Sequence, residues 1–170
     1  LESVARELGL QAPVSFRVNP DVDAKTHPYI STGLRESKFG VPFEVALPLY
    51  RYAHASPHLE VVGIDCHIGS QITESAPFLE ALDRVLGLVD AIAADGISIR
   101  HLDVGGGLGI RYADESPPAV AEYAAALFAR IGARPLKVLF EPGRVLVGNA
   151  GVLLTTVQYL KTAPPRSFAV

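Results

Sequence analysis

His67, Ser70, Glu141 and Arg144 are the side chains with the most chemistry to offer, and each lies within two residues of a glycine. They sit in three short segments: Gly63-Ile64-Asp65-Cys66-His67-Ile68-Gly69-Ser70-Gln71, Asp103-Val104-Gly105-Gly106-Gly107-Leu108-Gly109 and Glu141-Pro142-Gly143-Arg144. An imidazole is flat enough to stack on a ring. A hydroxyl and a guanidinium bind anionic oxygens, and a carboxylate can pair with a protonated ring nitrogen. Backbone N–H groups in a glycine run can converge on a phosphate. Together they suit a phosphorylated heteroaromatic cofactor, and pyridoxal phosphate fits the inventory best.

The geometry of a β-strand decides which of these groups can meet. Successive side chains alternate between faces, so Gly63, Asp65 and His67 share one face while Val62, Ile64 and Cys66 share the other. That argues against a Cys66/His67 nucleophilic dyad and puts Cys66 in the core. The same rule groups Lys137, Leu139 and Glu141, so that Glu141 reaches the carboxyl end of its strand pointing inward. The glycines at 105, 106 and 107 do not match the dinucleotide pattern, since the third glycine falls at Ile110 or Tyr112 depending on the start, and no Lys-Ser/Thr pair completes a P-loop. Taken alone, the glycine run is equally a tight turn, a lone strand histidine is a structural residue, and Glu141 with Arg144 is a weak surface ion pair. Their succession at strand ends favours the site reading. Arg144 can serve phosphate or a substrate carboxylate, and the residues leave both open. Arg17 and His27 are weaker candidates; Lys38 and Asp65 have no assigned role.

The elements that must position these groups follow from periodicity. Strands are expected over 14–18, 59–67, 97–104 and 136–140, with Asn19-Pro20 ending the first and a loop running from there to about Gly40. Helices are expected over 43–55, with Pro48 kinking or delaying the first, over 78–94 with Gly96 as the stop, and over 119–131. Alternating strands and helices imply a parallel sheet, and functional residues at successive carboxyl ends favour the carboxyl-terminal half of a TIM-type (β/α)8 barrel. A whole barrel takes about 250 residues, so the remainder is expected upstream of Leu1. After Gly151 the helical rhythm stops and short strands are expected, dividing the chain into a partial barrel over 1–150 and the beginning of a β-rich domain over 151–170.

Composition sets the outer limits. In 170 residues, 49% are hydrophobic and 19% charged, which indicates a folded globular protein. A net charge of −3 gives no basic field for nucleic acid, and no apolar run of about 18 residues suggests a membrane span. Neither nucleic acid nor membrane is an expected partner, and no metal site is expected. A lone Cys66 makes no internal disulfide, so a cytoplasmic location is the expectation.

In this order, His-Ile-Gly-Ser-Gln, Gly-Gly-Gly-Leu-Gly and Glu-Pro-Gly-Arg resemble the fold-III pyridoxal-phosphate-dependent decarboxylases, and the likeness runs through Arg17-Val18-Asn19-Pro20 and Ser37-Lys38-Phe39-Gly40 as well. The resemblance implies pyridoxal 5'-phosphate as cofactor, bound by His67, Ser70, Gly105, Gly106, Gly107, Glu141, Gly143 and Arg144. His67 would stack on the ring, Ser70 would lie near the phosphate, Glu141 would meet the ring nitrogen, and Arg144 would also be available to substrate. His67 and Glu141 are thus the expected catalytic pair. The family carries its cofactor on a lysine near an early barrel strand. None of Lys25, Lys38, Lys137 and Lys161 has that setting, so the lysine is expected before Leu1 and the chain alone is expected to be inactive. Gln71, Leu108 and the Glu-Pro-Gly-Arg segment look more like members acting on diaminopimelate than like the ornithine group, which implies a small amino-acid substrate and a homodimer in the full-length protein. A decarboxylase of arginine, ornithine or lysine, or a non-catalytic carrier of the same cofactor, are the alternatives.

Overall fold

The computed structural model describes residues 1–23 and 38–170. His27 and Lys25, with most of the expected loop to Gly40, lie outside the described residues. The chain opens with helix α1 (Glu2–Glu7) and strand β1 (Ala12–Asn19), followed by β2 (Val41–Pro42), α2 (Phe43–Ala55), β3 (Leu59–Asp65), α3 (Ala76–Ala94), β4 (His101–Asp103), α4 (Val120–Ile131) and β5 (Lys137–Leu139). A four-residue helix α5 (Arg144–Val147) and the strands β6 (Leu160–Lys161) and β7 (Phe168–Ala169) complete it.

Strands β1 to β5 form one parallel sheet in the order β2-β1-β3-β4-β5. From β3 through β4 to β5 the strands lie in adjacent order with α3 and α4 as crossovers, which is the sheet of a partial (β/α) barrel, while β2 is added outside β1. Helices α2, α3 and α4 take one face. Ile64 and Leu102 are fully buried there, and Cys66, Leu102 and Val104 meet Phe78, Leu82, Tyr123 and Leu127. Each long helix presents an apolar stripe for this purpose: nine residues of α3 are buried, among them Phe78, Leu82, Val85, Leu86 and Val89. Tyr50 of α2 is fully buried, its ring edge-on to Phe16, and its hydroxyl donates to the Gly63 carbonyl at 2.8 Å.

The opposite face is polar. Register aligns Arg17, Asp65, Asp103 and Leu139 in one row across β1, β3, β4 and β5, and Ser15, Gly63, His101 and Lys137 in the next. Gly63 has no room for a side chain here: a Cβ would stand 3.1 Å from both His101 Cβ and Ser15 Oγ.

Several expected boundaries change. β2 was not foreseen, because a two-residue strand carries no periodicity, and Pro42 belongs to it as well as capping α2. Pro48 lies inside an unbroken α2. The strand expected over 97–104 is reduced to β4, although Arg100 still donates to Val62 O and accepts from Lys137 N–H. Beyond Gly151, only β6 and β7 pair, antiparallel and in a sheet of their own, while 152–159 forms no strand.

Candidate functional site

The parallel ladder continues past the strand ends, and this continuation positions the site. Cys66 N–H donates to Asp103 O at 3.1 Å, Val104 N–H to Leu139 O at 3.1 Å, and Glu141 N–H to Gly105 O at 2.9 Å. The segments after β3, β4 and β5 are therefore held in register.

The glycine run sits at the centre of these segments, and three of its glycines are sterically required. A Cβ on Gly105 would fall 2.4 Å from Cys66 O, one on Gly106 2.1 Å from Glu141 O, and one on Gly107 2.1 Å from Gly69 O. Gly105 and Gly107 also have φ of +70° and +105°, conformations that favour glycine. Neighbouring backbone thus fills the space that side chains would take.

The expectation of several unencumbered N–H groups in this run needs correction. Gly105 N–H donates to Asp103 Oδ1 at 2.8 Å, and Gly106 N–H donates to His67 Nδ1 at 3.2 Å. Among the described residues, the N–H groups of Gly107 and Leu108 meet no acceptor. The N–H groups open to an anion are therefore those of Gly107 and Leu108, while Gly105 and Gly106 anchor the run.

The bond from Gly106 fixes the state of His67. An Nδ1 that accepts a hydrogen bond carries no proton, so the ring is the neutral tautomer with its hydrogen on Nε2. Burial, followed by the nearby Arg17 cation, pulls its pKa below the usual 6.5 in the same direction, against Glu141 and Asp103. Glu141 Oε2 lies 3.9 Å from Nδ1, a separation that makes an ion pair only with a protonated ring. The carboxylate, 61% exposed, is thus available to another partner.

Arg17 belongs to the site more closely than its sequence setting suggested. Its Nη2 donates to His67 O at 3.4 Å, its guanidinium lies 5.5 Å from the Phe39 ring centroid, and among the described residues its buried Nε meets no acceptor. Asp65 accepts from Ser15 Oγ at 3.2 Å, and burial raises its pKa, with Asp103 and Glu141 adding to the rise. Cys66 is buried among α3 and α4 side chains, and burial pushes its thiol up to about 12, against the thiolate form.

On the third segment, Arg144 Nη1 donates to Gln71 Oε1 at 3.2 Å and its guanidinium stands 5.7 Å from the Tyr112 ring centroid. Gly143 has φ −114°, and a Cβ there would meet nothing within 4 Å. Ser70 is partly exposed at the end of the first segment. A cleft of about 290 Å³ lies between the glycine run and α4 and is walled by apolar groups such as Tyr123, Phe140 and Leu146. The polar convergence, not this cleft, has the groups needed for chemistry.

What the arrangement can do is hold an anion beside a flat ring. Gly107 and Leu108 N–H, the Ser70 hydroxyl and Arg144 are anion donors, His67 offers a neutral ring face, and Glu141 an exposed carboxylate. That donor set fits a phosphorylated pyridine. Polar groups from three segments at the carboxyl ends of a parallel sheet define a cofactor-binding (β/α)-barrel protein. The chain belongs to the pyridoxal-dependent decarboxylase family, whose pyridoxal binding domain matches residues 1–148.

Within that family, the chain is 59% identical over 170 residues to diaminopimelate decarboxylase of Pseudomonas aeruginosa, covering 100% of this chain and 41% of the relative. The diaminopimelate decarboxylase of Vibrio cholerae is also 59% identical, over 171 residues, with 100% of this chain and 41% of the relative covered. The crystal structure of diaminopimelate decarboxylase from Helicobacter pylori complexed with L-lysine superposes with a TM-score of 0.87 at 42% identity, over 95% of this chain and 41% of that one. The chain spans about two fifths of the length of these relatives. No helix among the described residues is long and apolar enough to cross a membrane.

Two predictions follow from the seam of glycines and from His67. Gly106→Ala must displace the Glu141 backbone, so it is expected to lower unfolding stability by about 2 kcal/mol or more, whereas Gly143→Ala stays within about 0.5 kcal/mol. Chemical denaturation of both variants checks the contrast. The depressed His67 pKa means that, as pH falls below 6.5, the unfolded chain takes up a proton that the folded chain refuses. The His67 contribution to stability is therefore full above pH 6.5 and declines below it, down to the folded pKa. His67→Asn keeps an acceptor near Gly106 but cannot titrate, and denaturation at several pH values should show a shallower acid decline for that variant.

Proposed function

We propose that this chain supplies most of the cofactor cradle of an enzyme that decarboxylates meso-2,6-diaminopimelate to L-lysine and CO2, the last step of lysine biosynthesis. The observation that carries the reading is the meeting of His67, Glu141 and the Gly105-Gly106-Gly107 run, from three separate segments, within hydrogen-bonding or near-contact distance. The 59% identity to two diaminopimelate decarboxylases supports the substrate.

In this reading Gly107 N–H, Ser70 and Arg144 hold the cofactor phosphate. Gly105 and Gly106 shape the cradle, and Gly143 gives the turn that leads into Arg144. Neutral His67 would hold the face of the cofactor ring; because its Nδ1 accepts from Gly106, the imidazole is fixed in orientation without adding a positive charge. The exposed Glu141 carboxylate would pair with the ring nitrogen and hold a proton there, which favours a cationic ring. Bound pyridoxal 5'-phosphate supplies an electron sink for the pair left behind as CO2 departs. Arg144 is also within the repertoire of substrate-carboxylate binders, since its fork suits either anion.

The reading further includes a homodimer, a cytoplasmic setting, and a division of the chain into a partial barrel over 1–150 and the start of a β-rich domain over 151–170. The β6–β7 pairing in its own sheet supports that division.

The test is turnover by the full-length, cofactor-loaded enzyme, with CO2 release measured for meso-diaminopimelate, arginine, ornithine and lysine. A kcat/KM for diaminopimelate about 100-fold or more above the others is expected. Glu141→Gln should lower kcat by roughly 10²- to 10³-fold through loss of the carboxylate that stabilises the ring charge. Preference for another amino acid, or full activity in Glu141→Gln, would sink the assignment.

A further inference from the structure

Gln71 is one of only two described non-glycine residues with positive φ, at +59°. A long side chain reaches this left-handed conformation only where its surroundings compensate the strain, and such positions concentrate at functional sites. The surroundings here are specific. The Gln71 carboxamide donates from Nε2 to Ile110 O at 2.6 Å, and its Oε1 accepts both from Ile110 N–H at 3.1 Å and from Arg144 Nη1 at 3.2 Å. One side chain therefore ties together the segments that follow β3, β4 and β5.

The neighbouring backbone shows how tightly these segments are joined. Ile72 N–H donates to Gly107 O and Gly109 N–H to Ile72 O, both at 2.9 Å. Ile110 in turn packs on α5, where a Cβ on Gly148 would fall 2.4 Å from Ile110 Cδ1. Gln71 thus grips the same residue that supports the helix carrying Arg144. Arg144 is fixed between the Gln71 oxygen and the Tyr112 ring.

The choice of an amide is informative. Engaging Ile110 N–H and C=O together requires an acceptor and a donor on one planar group, which a carboxamide has and a carboxylate lacks. A carboxylate at 71 would also neutralise Arg144 and compete with any anion for it. A neutral amide orients the guanidinium with its charge intact, using one of five N–H donors.

Resting on the reading of this site as a pyridoxal-phosphate cradle, we propose that Gln71 is a positioning residue that holds Arg144 in its anion-binding orientation. Its carboxamide keeps the guanidinium, Gly107-Leu108 and Ser70 as one preorganised anion site. The anion is the cofactor phosphate or the substrate carboxylate, which share this chemistry.

The experiment uses the full-length enzyme and two probes, pyridoxal 5'-phosphate and pyridoxal, with dissociation constants measured by equilibrium titration of the apo form. Gln71→Asn and Gln71→Gly both tolerate the left-handed backbone yet cannot span Ile110 and Arg144. Each is expected to weaken pyridoxal 5'-phosphate by about 10- to 100-fold while pyridoxal changes little, and the loss should largely vanish when Gln71→Asn is made in an Arg144→Ala background. Unchanged discrimination between the probes, with a rise of about tenfold or more in KM for diaminopimelate that also depends on Arg144, would assign the oriented anion to the substrate instead. Both probes weakening equally, neither quantity moving, or a loss undiminished by Arg144→Ala would overturn the positioning role. Native enzyme that fails to prefer pyridoxal 5'-phosphate over pyridoxal would instead defeat the cradle reading itself.

Discussion

The site depends on backbone lying against backbone at the glycine run. The carbonyl oxygens of Cys66, Glu141 and Gly69 occupy the places where the Cβ atoms of Gly105, Gly106 and Gly107 would stand. Because that space is shared, the segments after β3, β4 and β5 close to within hydrogen-bond range, and His67 meets a main-chain N–H from the next segment. A methyl group at any of these three positions forces a segment outward, and the contacts that join the three segments, among them the Gly106 to His67 bond, are then lost. Gly143 is the contrast: it belongs to the same set of motifs, yet nothing crowds it.

The sheet divides its labour by face. One face is apolar and sealed by α2, α3 and α4, so the strands are rigidly registered. The other carries Arg17, Asp65 and Asp103 in a single row, with His67 two residues beyond Asp65 on the β3 segment. The acids and the cation affect one another through this row: Asp65 is raised by burial and by its acidic neighbours, and His67 is lowered by burial and by Arg17. Asp103 has a second role, since its carboxylate fixes the first N–H of the glycine run. The neutral His67 and the available Glu141 are therefore consequences of how the row is assembled rather than of either residue alone.

Much of this was legible in the sequence, and the parts that were not share a cause. Helices α3 and α4 declare themselves through apolar periodicity, α2 through its helical composition, and Gly96 marks the end of α3. The inward-facing set of Asp65 and His67, and the burial of Cys66, follow from strand alternation. Which glycine N–H groups are engaged depends on side chains 39 residues away for Gly106 and His67, and no local pattern carries that information. Gln71 was conspicuous only as part of a motif, because its strained backbone and its bonds to Ile110 and Arg144 are tertiary facts. Arg17 was underrated for the same reason: its importance comes from parallel pairing with Asp65, not from its neighbours in sequence. The shortness of β4, β6 and β7 likewise reflects pairing geometry.

The central claim is that three strand-end segments form one cradle for a phosphorylated pyridine. A crystal structure of the full-length protein with pyridoxal 5'-phosphate tests it most directly. The account predicts phosphate at Gly107 N–H, Ser70 and Arg144, the His67 ring against the pyridine face, Glu141 at the ring nitrogen, and an intact Gly106 to His67 bond. A cofactor bound in the apolar cleft beside Tyr123 and Phe140, or one whose ring nitrogen has no contact with Glu141, would contradict it.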